Sequence, residues 1–265
     1  EAASSTGGQI TPPIMGAAAF IMVEFLEIPY REILLAALVP ATLHYFGIFI
    51  MVHLEAKRLG LRGLSAQEMP KALAVLSKHW LTLAPLLILV YLIISGRSPD
   101  FAAVWGIVGC VVCGFINPND RLTIPDFIES LATGARYALA VGAAAAAVGI
   151  IVGVVTLTGT GFRLSFVVTQ VASNLGGWIS SGWLGMFLTQ NGLALFFTLL
   201  FTAVACIIMG AGIPTTATYI ILVSVAAPAL ALLGVQPLVA HFFVFYYGVL
   251  ADITPPVALA AYAGA

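Results

Sequence analysis

Charge is what this sequence has least of. Only 8% of its 265 residues are Asp, Glu, Lys or Arg, whereas 61% are hydrophobic. A soluble domain carries about 25% charged residues, so this chain could not cover a water-exposed globule, which excludes a soluble enzyme. The formal net charge of −1 provides no basic surface and excludes a nucleic-acid partner. We therefore predict an all-α, polytopic membrane protein in contact with the lipid bilayer.

Cysteine is also scarce. The three cysteines, Cys110, Cys113 and Cys206, lie in apolar runs, and their odd number argues against a disulfide framework. Cys110 and Cys113 have the spacing of a redox or zinc pair, but no His or further Cys lies nearby, so we interpret them as packing residues. No nucleotide-binding glycine motif and no Ser/His/Asp arrangement stands out. We expect neither an enzyme nor a resident cofactor.

Long hydrophobic runs are what the sequence does contain. A membrane-crossing helix needs about 20 mostly apolar residues, and residues 33–52 meet this length before a predicted helix end at Gly60. Further spans are predicted at residues 80–95, 101–116 and 137–158. A separate helix along the membrane surface is predicted at residues 124–136, which carry charged residues at roughly helical spacing. The distribution of Lys and Arg places the loops around residues 57–78 and 121–136 in the cytoplasm.

The second half of the chain contains almost no charge. From residue 164 to residue 265, the only Asp, Glu, Lys or Arg is Asp252. An ionised carboxylate inside an apolar run is expensive, and it indicates a functional site. A bound cation or a proton is its natural partner. The alternative is that Asp252 caps the helix beginning near Pro255, which is compatible with ion binding and remains open.

Two segments of the chain repeat one another. Residues 10–18 (I-T-P-P-I-M-G-A-A) and residues 253–261 (I-T-P-P-V-A-L-A-A) align without gaps at an offset of 243. We interpret them as two copies of one structural unit, in which Gln9 is equivalent to Asp252. The alternative is that the Pro-Pro pairs merely begin two unrelated helices.

Breaks in apolar helices predict a binding site. A Pro-Pro pair removes two backbone donors and leaves upstream carbonyls without intrahelical partners, and unwound chain is tolerated in a membrane only where it lines a cavity or binds something. Carbonyls with neighbouring Thr hydroxyls suit a small hard cation, while the following helix N-terminus suits an anion. The segment G-A-G-I-P-T-T at residues 210–216 predicts a third break. Paired breaks of this kind are typical of secondary transporters.

Four strings carry a family resemblance. They are E-A-A-S-S-T-G-G-Q-I-T-P-P at residues 1–13, M-V-H-L-E-A-K-R-L-G-L at 51–61, G-A-G-I-P-T-T-A at 210–217 and A-D-I-T-P-P at 251–256. Together they resemble the large membrane subunit of tripartite ATP-independent periplasmic (TRAP) transporters, with the closest match to fused permeases of the TAXI branch. On this basis we expect the chain to be the C-terminal part of a longer protein.

The resemblance implies an elevator-type secondary transporter with two inverted repeats, each carrying a helical hairpin. It implies import of small organic anions such as carboxylates, usually coupled to sodium. A periplasmic TAXI-type solute-binding protein would deliver the substrate, and a small membrane subunit or a fused N-terminal region would complete the permease. The location would be the cytoplasmic membrane of a bacterium or archaeon. The chain would divide into the end of the first repeat (1–59), a connecting region (60–136) and the second repeat (137–265).

Our hypothesis assigns residues to two roles. The coupling ion, Na⁺ or H⁺, is predicted at the three breaks, by Gly7, Gly8, Gln9, Thr11, Gly210, Gly212, Pro214, Thr215, Thr216, Asp252 and Thr254. The substrate is predicted to meet Ser4, Ser5, Thr6 and Thr218. Two alternatives remain: an elevator carrier of the dicarboxylate/sodium symporter type that needs no binding protein, and an ion channel in which the breaks form a filter.

Overall fold

The structure of this chain is a computed structural model that describes residues 1–61, 63, 69, 71–118, 121–182, 188–211, 213–255, 258 and 260–261. Within these residues the chain forms helices and no strand, which confirms the all-α prediction. The helices are α1 Ala2–Gly7, α2 Ala17–Leu26, α3 Tyr30–Arg58, α4 Ala72–Ile94, α5 Pro99–Ile116, α6 Ile124–Thr158, α7 Thr160–Ser180, α8 Gln190–Gly210, α9 Thr215–Leu232 and α10 Pro237–Ala251, and a 3-10 turn covers Gly8–Ile10.

Six described helices are long and apolar enough to cross a membrane. They are Tyr30–Arg58, Val75–Ile94, Pro99–Ile116, Ile124–Thr158, Gln190–Gly210 and Thr215–Leu232. Two shorter apolar helices, Ala17–Leu26 and Pro237–Ala251, accompany them. The chain is therefore a multi-pass membrane protein, as its composition predicts.

One of the predicted spans is wrong in its extent. The sequence predicts a surface helix at residues 124–136 and a distinct span from residue 137, but α6 runs without interruption over 35 residues. The Ala- and Gly-rich stretch contains no Pro, so nothing removes a helical donor at the expected boundary near Arg136. Helix α6 ends instead at Gly159, whose φ of +64° is a conformation that glycine adopts readily. The predicted end of α3 is confirmed, because Gly60 follows it with a φ of +66°.

The described chain divides into two compact units. One comprises Pro12–Ile14 and Ile28–Ala140, and the other comprises Glu1–Thr11, Met15–Glu27 and Val141–Ala265. In the first unit α4 packs against α5, where the backbone of Gly109 lies close to Pro85. In the same unit the Tyr30 hydroxyl donates to the carbonyl oxygen of Ile14 at 2.8 Å.

The second unit holds the buried core. Helix α7 packs on α8 and α9, and α10 packs on α8 and α9. Tyr219, Leu230, Val244 and Phe245 are fully buried between these helices. Helix α7 reaches the backbone of α9 closely, because the Ser165 hydroxyl donates to the carbonyl of Val225.

The ends of α8 and α10 meet at a contact that only glycine permits. A Cβ on Gly210 would lie 2.5 Å from the Cβ of Ala251 and 3.2 Å from the Cγ2 of Thr218. Neither neighbour is a flexible side chain that could move aside. The last residue of α8 therefore sits directly against the last residue of α10, and this contact positions the two breaks that follow them.

We expect Gly210→Ala to lower the free energy of unfolding by about 1–3 kcal/mol, because the added methyl overpacks this contact. Melting of the purified protein in detergent measures the effect. Gly153→Ala is the matched control, since a Cβ there meets no atom within 4 Å. The double variant G210A/A251G should recover the loss, and equal behaviour of G210A and G153A would contradict the contact.

Candidate functional site: the junction of three helix breaks

All three predicted breaks are present. Helix α1 gives way to the 3-10 turn at Gly8 and α2 begins at Ala17, α8 ends at Gly210 and α9 begins at Thr215, and α10 ends at Ala251. Gly212 and Pro256, which also belong to the predicted breaks, lie outside the described residues. No continuous helix runs through either Thr-Pro-Pro segment among the residues that the structure describes, so the predicted interruptions are confirmed.

The two copies of the repeat adopt the same local structure. The Thr11 hydroxyl donates to the carbonyl of Gly7, and the Thr254 hydroxyl donates to the carbonyl of Leu250, both at 2.6 Å. These four residues correspond at the offset of 243. Equivalent residues therefore make equivalent hydrogen bonds, although the same bond to the carbonyl four residues earlier also occurs at Thr42 and Thr156, outside the two segments.

A shared backbone conformation gives the same result. Met15 has a φ of +58° and Ala258 a φ of +46°, and these positions again differ by 243. Positive φ is uncommon for residues other than glycine. Its recurrence at equivalent positions is a second local feature that the described residues of the two segments share.

The backbone carbonyls that the prolines deprive of a helical donor were predicted to be unpaired, but they are not. The missing N–H groups of the four prolines leave four carbonyls without helical partners, but each accepts a bond from a later N–H in its own segment. The pairs are Gly8 O with Thr11 N (3.3 Å), Gln9 O with Gly16 N (2.6 Å), Ala251 O with Thr254 N (3.2 Å) and Asp252 O with Ala260 N (3.0 Å). A carbonyl has two lone pairs, so each retains capacity for one further contact, but none is left wholly unpaired.

Asp252 is where the breaks converge. Its Oδ2 accepts a hydrogen bond from the Thr215 hydroxyl at 2.8 Å and lies 3.5 Å from the Nε2 of Gln9. Thr215 is the first residue of α9, so the carboxylate also lies at the positive end of that helix dipole. The carboxylate of Asp252 thus joins all three breaks. The described partners of the Asp252 side chain are Thr215 and Gln9, and neither belongs to the segment after Pro255 that Asp252 was expected to cap.

The remaining predicted ion-site residues surround this junction with different roles. Pro214 precedes α9, and its carbonyl accepts from the backbone N–H of Thr218 at 3.0 Å. Gly210 supplies the close approach to Ala251, and Thr11 and Thr254 direct their hydroxyls to their own helices. Thr216 is half-buried in the first turn of α9.

The predicted substrate residues fall into two groups. Ser4 and Ser5 are exposed on α1, whereas Thr6 is 5% exposed and Thr218 only 1% exposed. The Thr218 hydroxyl is within hydrogen-bond distance, 3.4 Å, of the carbonyl of Ile213. In this structure Thr218 supports the break before α9 from within.

One buried polar pair was missed by the sequence reasoning. The Tyr219 hydroxyl and the Nδ1 of His241 lie 2.7 Å apart, and the ring of Phe25 stands edge-on to His241 at 6.2 Å between centroids. The signal was available, because His241 is the only histidine in the second half of the chain. This pair ties α9 to α10 on the turn next to Thr215.

Comparison with known families identifies the family of this chain. The family described as tripartite ATP-independent periplasmic transporter, DctM component, matches residues 1–265. The chain belongs to this family. No curated protein and no solved structure matches it. The DctM assignment makes the chain a permease component of a TRAP transporter, and the junction of breaks at Asp252 is the candidate site within this component.

We expect Thr215→Val to lower the stability of this DctM-family chain by about 1.5–3 kcal/mol, because it removes the donor to an ionised carboxylate. Thr215→Ser keeps the hydroxyl and should remain close to the wild type. Melting of both variants in detergent measures the difference. Because Val keeps the methyl group and Ser keeps the hydroxyl, a loss in Thr215→Ser as large as that in Thr215→Val would contradict a dominant role for the hydroxyl.

Proposed function

We propose that this TRAP permease component couples the inward movement of sodium to the import of small organic anions such as carboxylates. The cation occupies the junction of the three breaks, with Asp252 as its charged ligand. Thr215 and the spare lone pairs of the carbonyls of Gln9 and Asp252 supply neutral oxygens. The observation that carries the proposal is the convergence of all three breaks on one carboxylate.

The charge of the junction supports a cation. Among the residues that the structure describes, the side-chain partners of the Asp252 carboxylate are neutral donors, the Thr215 hydroxyl and the Gln9 amide, and the N-terminus of α9 lies beside it. Neither Lys nor Arg occurs between residue 164 and the end of the chain. A monovalent cation would neutralise this charge, and the oxygen ligands suit such an ion better than they suit an anion.

Sodium and anion binding would be coupled because both ligands bind the same conformation. Sodium at Asp252 would hold the starts of α9 and of the segment after α10 together, and an anion would then be bound with higher affinity. Because linkage is reciprocal, bound anion raises sodium affinity by the same factor. We further propose an elevator-type movement with two inverted repeats, a TAXI-type periplasmic binding protein that delivers the anion, and a small membrane subunit or fused region. The resemblance of the four sequence strings supports these partners.

The substrate assignment rests on position. Ser4, Ser5, Thr6 and Thr218 lie on the helices beside the breaks, and we propose that they contact the anion. We propose that the transporter lies in the cytoplasmic membrane of a bacterium or archaeon. The alternative coupling ion is the proton, and a direct test of the driving ion would distinguish it from sodium.

Uptake into vesicles containing the complete transporter tests the proposal, with sodium and proton gradients imposed separately. We expect Asp252→Asn to reduce sodium-dependent uptake at least about tenfold, equivalent to about 1.4 kcal/mol of lost ion binding. Asp100→Asn, which removes an exposed carboxylate from the first turn of α5, is the matched control and should transport normally.

Three results would contradict parts of the proposal. Normal sodium-dependent uptake by D252N would remove the ion from this junction. Uptake driven by a proton gradient alone would show that the coupling ion is H⁺ and not sodium. Equal uptake with and without the periplasmic binding protein would favour the carrier that works alone.

A further inference from the structure

Equivalent residues of the two repeats touch each other. Gln9 and Asp252 occupy the same position in the two copies, and the Nε2 of Gln9 lies 3.5 Å from the Oδ2 of Asp252. The two copies of the repeat therefore share one junction at this contact.

The two copies share local features at the junction but differ in charge. The hydroxyl bonds of Thr11 and Thr254 and the positive φ values of Met15 and Ala258 match across the copies. At the central position, however, one copy supplies an amide and the other a carboxylate. A carboxylate at both positions would instead give the junction two negative charges.

The orientation of Gln9 fits an amide that donates. Its Nε2 faces Asp252, while its Oε1 lies on the side of Gly16, 3.4 Å from where a Cβ on that glycine would stand. A glutamate has the same shape as glutamine. Gln9→Glu would therefore bring a second carboxylate oxygen to Asp252 without a change in side-chain volume.

We propose that Gln9 is a specificity-determining residue, which holds the shared junction at a single negative charge and thereby restricts it to monovalent cations. This inference rests on the function proposed above. Within the part of the chain that the structure describes, no group of three or more His, Cys, Asp or Glu side chains could hold a metal ion. One carboxylate with neutral oxygens compensates one positive charge, and a divalent ion would keep a net positive charge at the junction.

A second carboxylate would change the preferred ion. Two carboxylates with hydroxyl and carbonyl oxygens form the hard ligand set that Ca²⁺ prefers. Without a divalent ion, two carboxylates this close would share a proton, since both cannot be ionised at little cost. Binding of Ca²⁺ to such a site would release that proton, so its affinity would rise with pH.

Melting of the purified transporter in NaCl, CaCl₂ or choline chloride at equal ionic strength tests the inference. We expect the wild type to be stabilised by Na⁺ and not by Ca²⁺. In Gln9→Glu, Ca²⁺ at about ten times its dissociation constant should raise the melting temperature by about 3 °C, and more at pH 8 than at pH 6. If Gln9→Glu impairs folding, stabilisation of the wild type by Ca²⁺ as strong as that by Na⁺ would still overturn the inference.

Two controls define the interpretation. Gln236→Glu adds a carboxylate of the same size at the exposed start of α10 and should gain no response to Ca²⁺. The double variant Q9E/D252N should lose the response that Q9E gains.

The outcomes separate this inference from the proposed function. A wild type stabilised by Na⁺, together with a Q9E variant that ignores Ca²⁺, would overturn the role of Gln9 and leave the proposed function standing. A wild type indifferent to monovalent cations, with a Q9E variant that responds to Ca²⁺, would count against sodium coupling while supporting the shared junction. A response to Ca²⁺ that survives in Q9E/D252N would overturn the inference.

Discussion

The structure around the candidate site depends on compensating one carboxylate. Asp252 stands at the end of an apolar helix, and residues 164–265 contain no other Asp, Glu, Lys or Arg. An ionised group in such surroundings costs several kcal/mol unless donors or a counter-ion reach it. Thr215 and Gln9 provide donors from two other helix breaks. The need to compensate this charge explains why segments far apart in sequence converge at one point.

The Pro-Pro pairs show how a membrane helix can be interrupted without leaving polar groups unpaired. Each proline removes a donor, and the released carbonyl accepts instead from an N–H three to eight residues later. The chain turns through a residue with positive φ to make this possible, once at Met15 and once at Ala258. The result is a compact turn whose carbonyls keep one lone pair each for a ligand.

Rigid packing behind the turns keeps these oxygens in place. Gly210 lets α8 approach Ala251 at the end of α10, and Tyr219 bonds to His241 one turn beyond Thr215. A site made of weak neutral ligands discriminates between ions only if its geometry is held by its supporting shell. The close contacts of α8, α9 and α10 supply that support, and they connect occupancy of the junction to the arrangement of the helices that carry it.

The sequence by itself determined the class of protein, the breaks and the repeat, because hydropathy, proline positions and the I-T-P-P match are local properties of the chain. It also singled out Asp252, since a lone carboxylate in an apolar half is visible without coordinates. Tertiary structure alone decided that Gln9 and Thr215 are its partners, because no local periodicity relates residues 243 or 37 positions apart. It also decided the continuity of α6, where helix propensity prevailed over a change in charge, and the partners of the released carbonyls, which depend on how the chain folds back after each Pro-Pro pair.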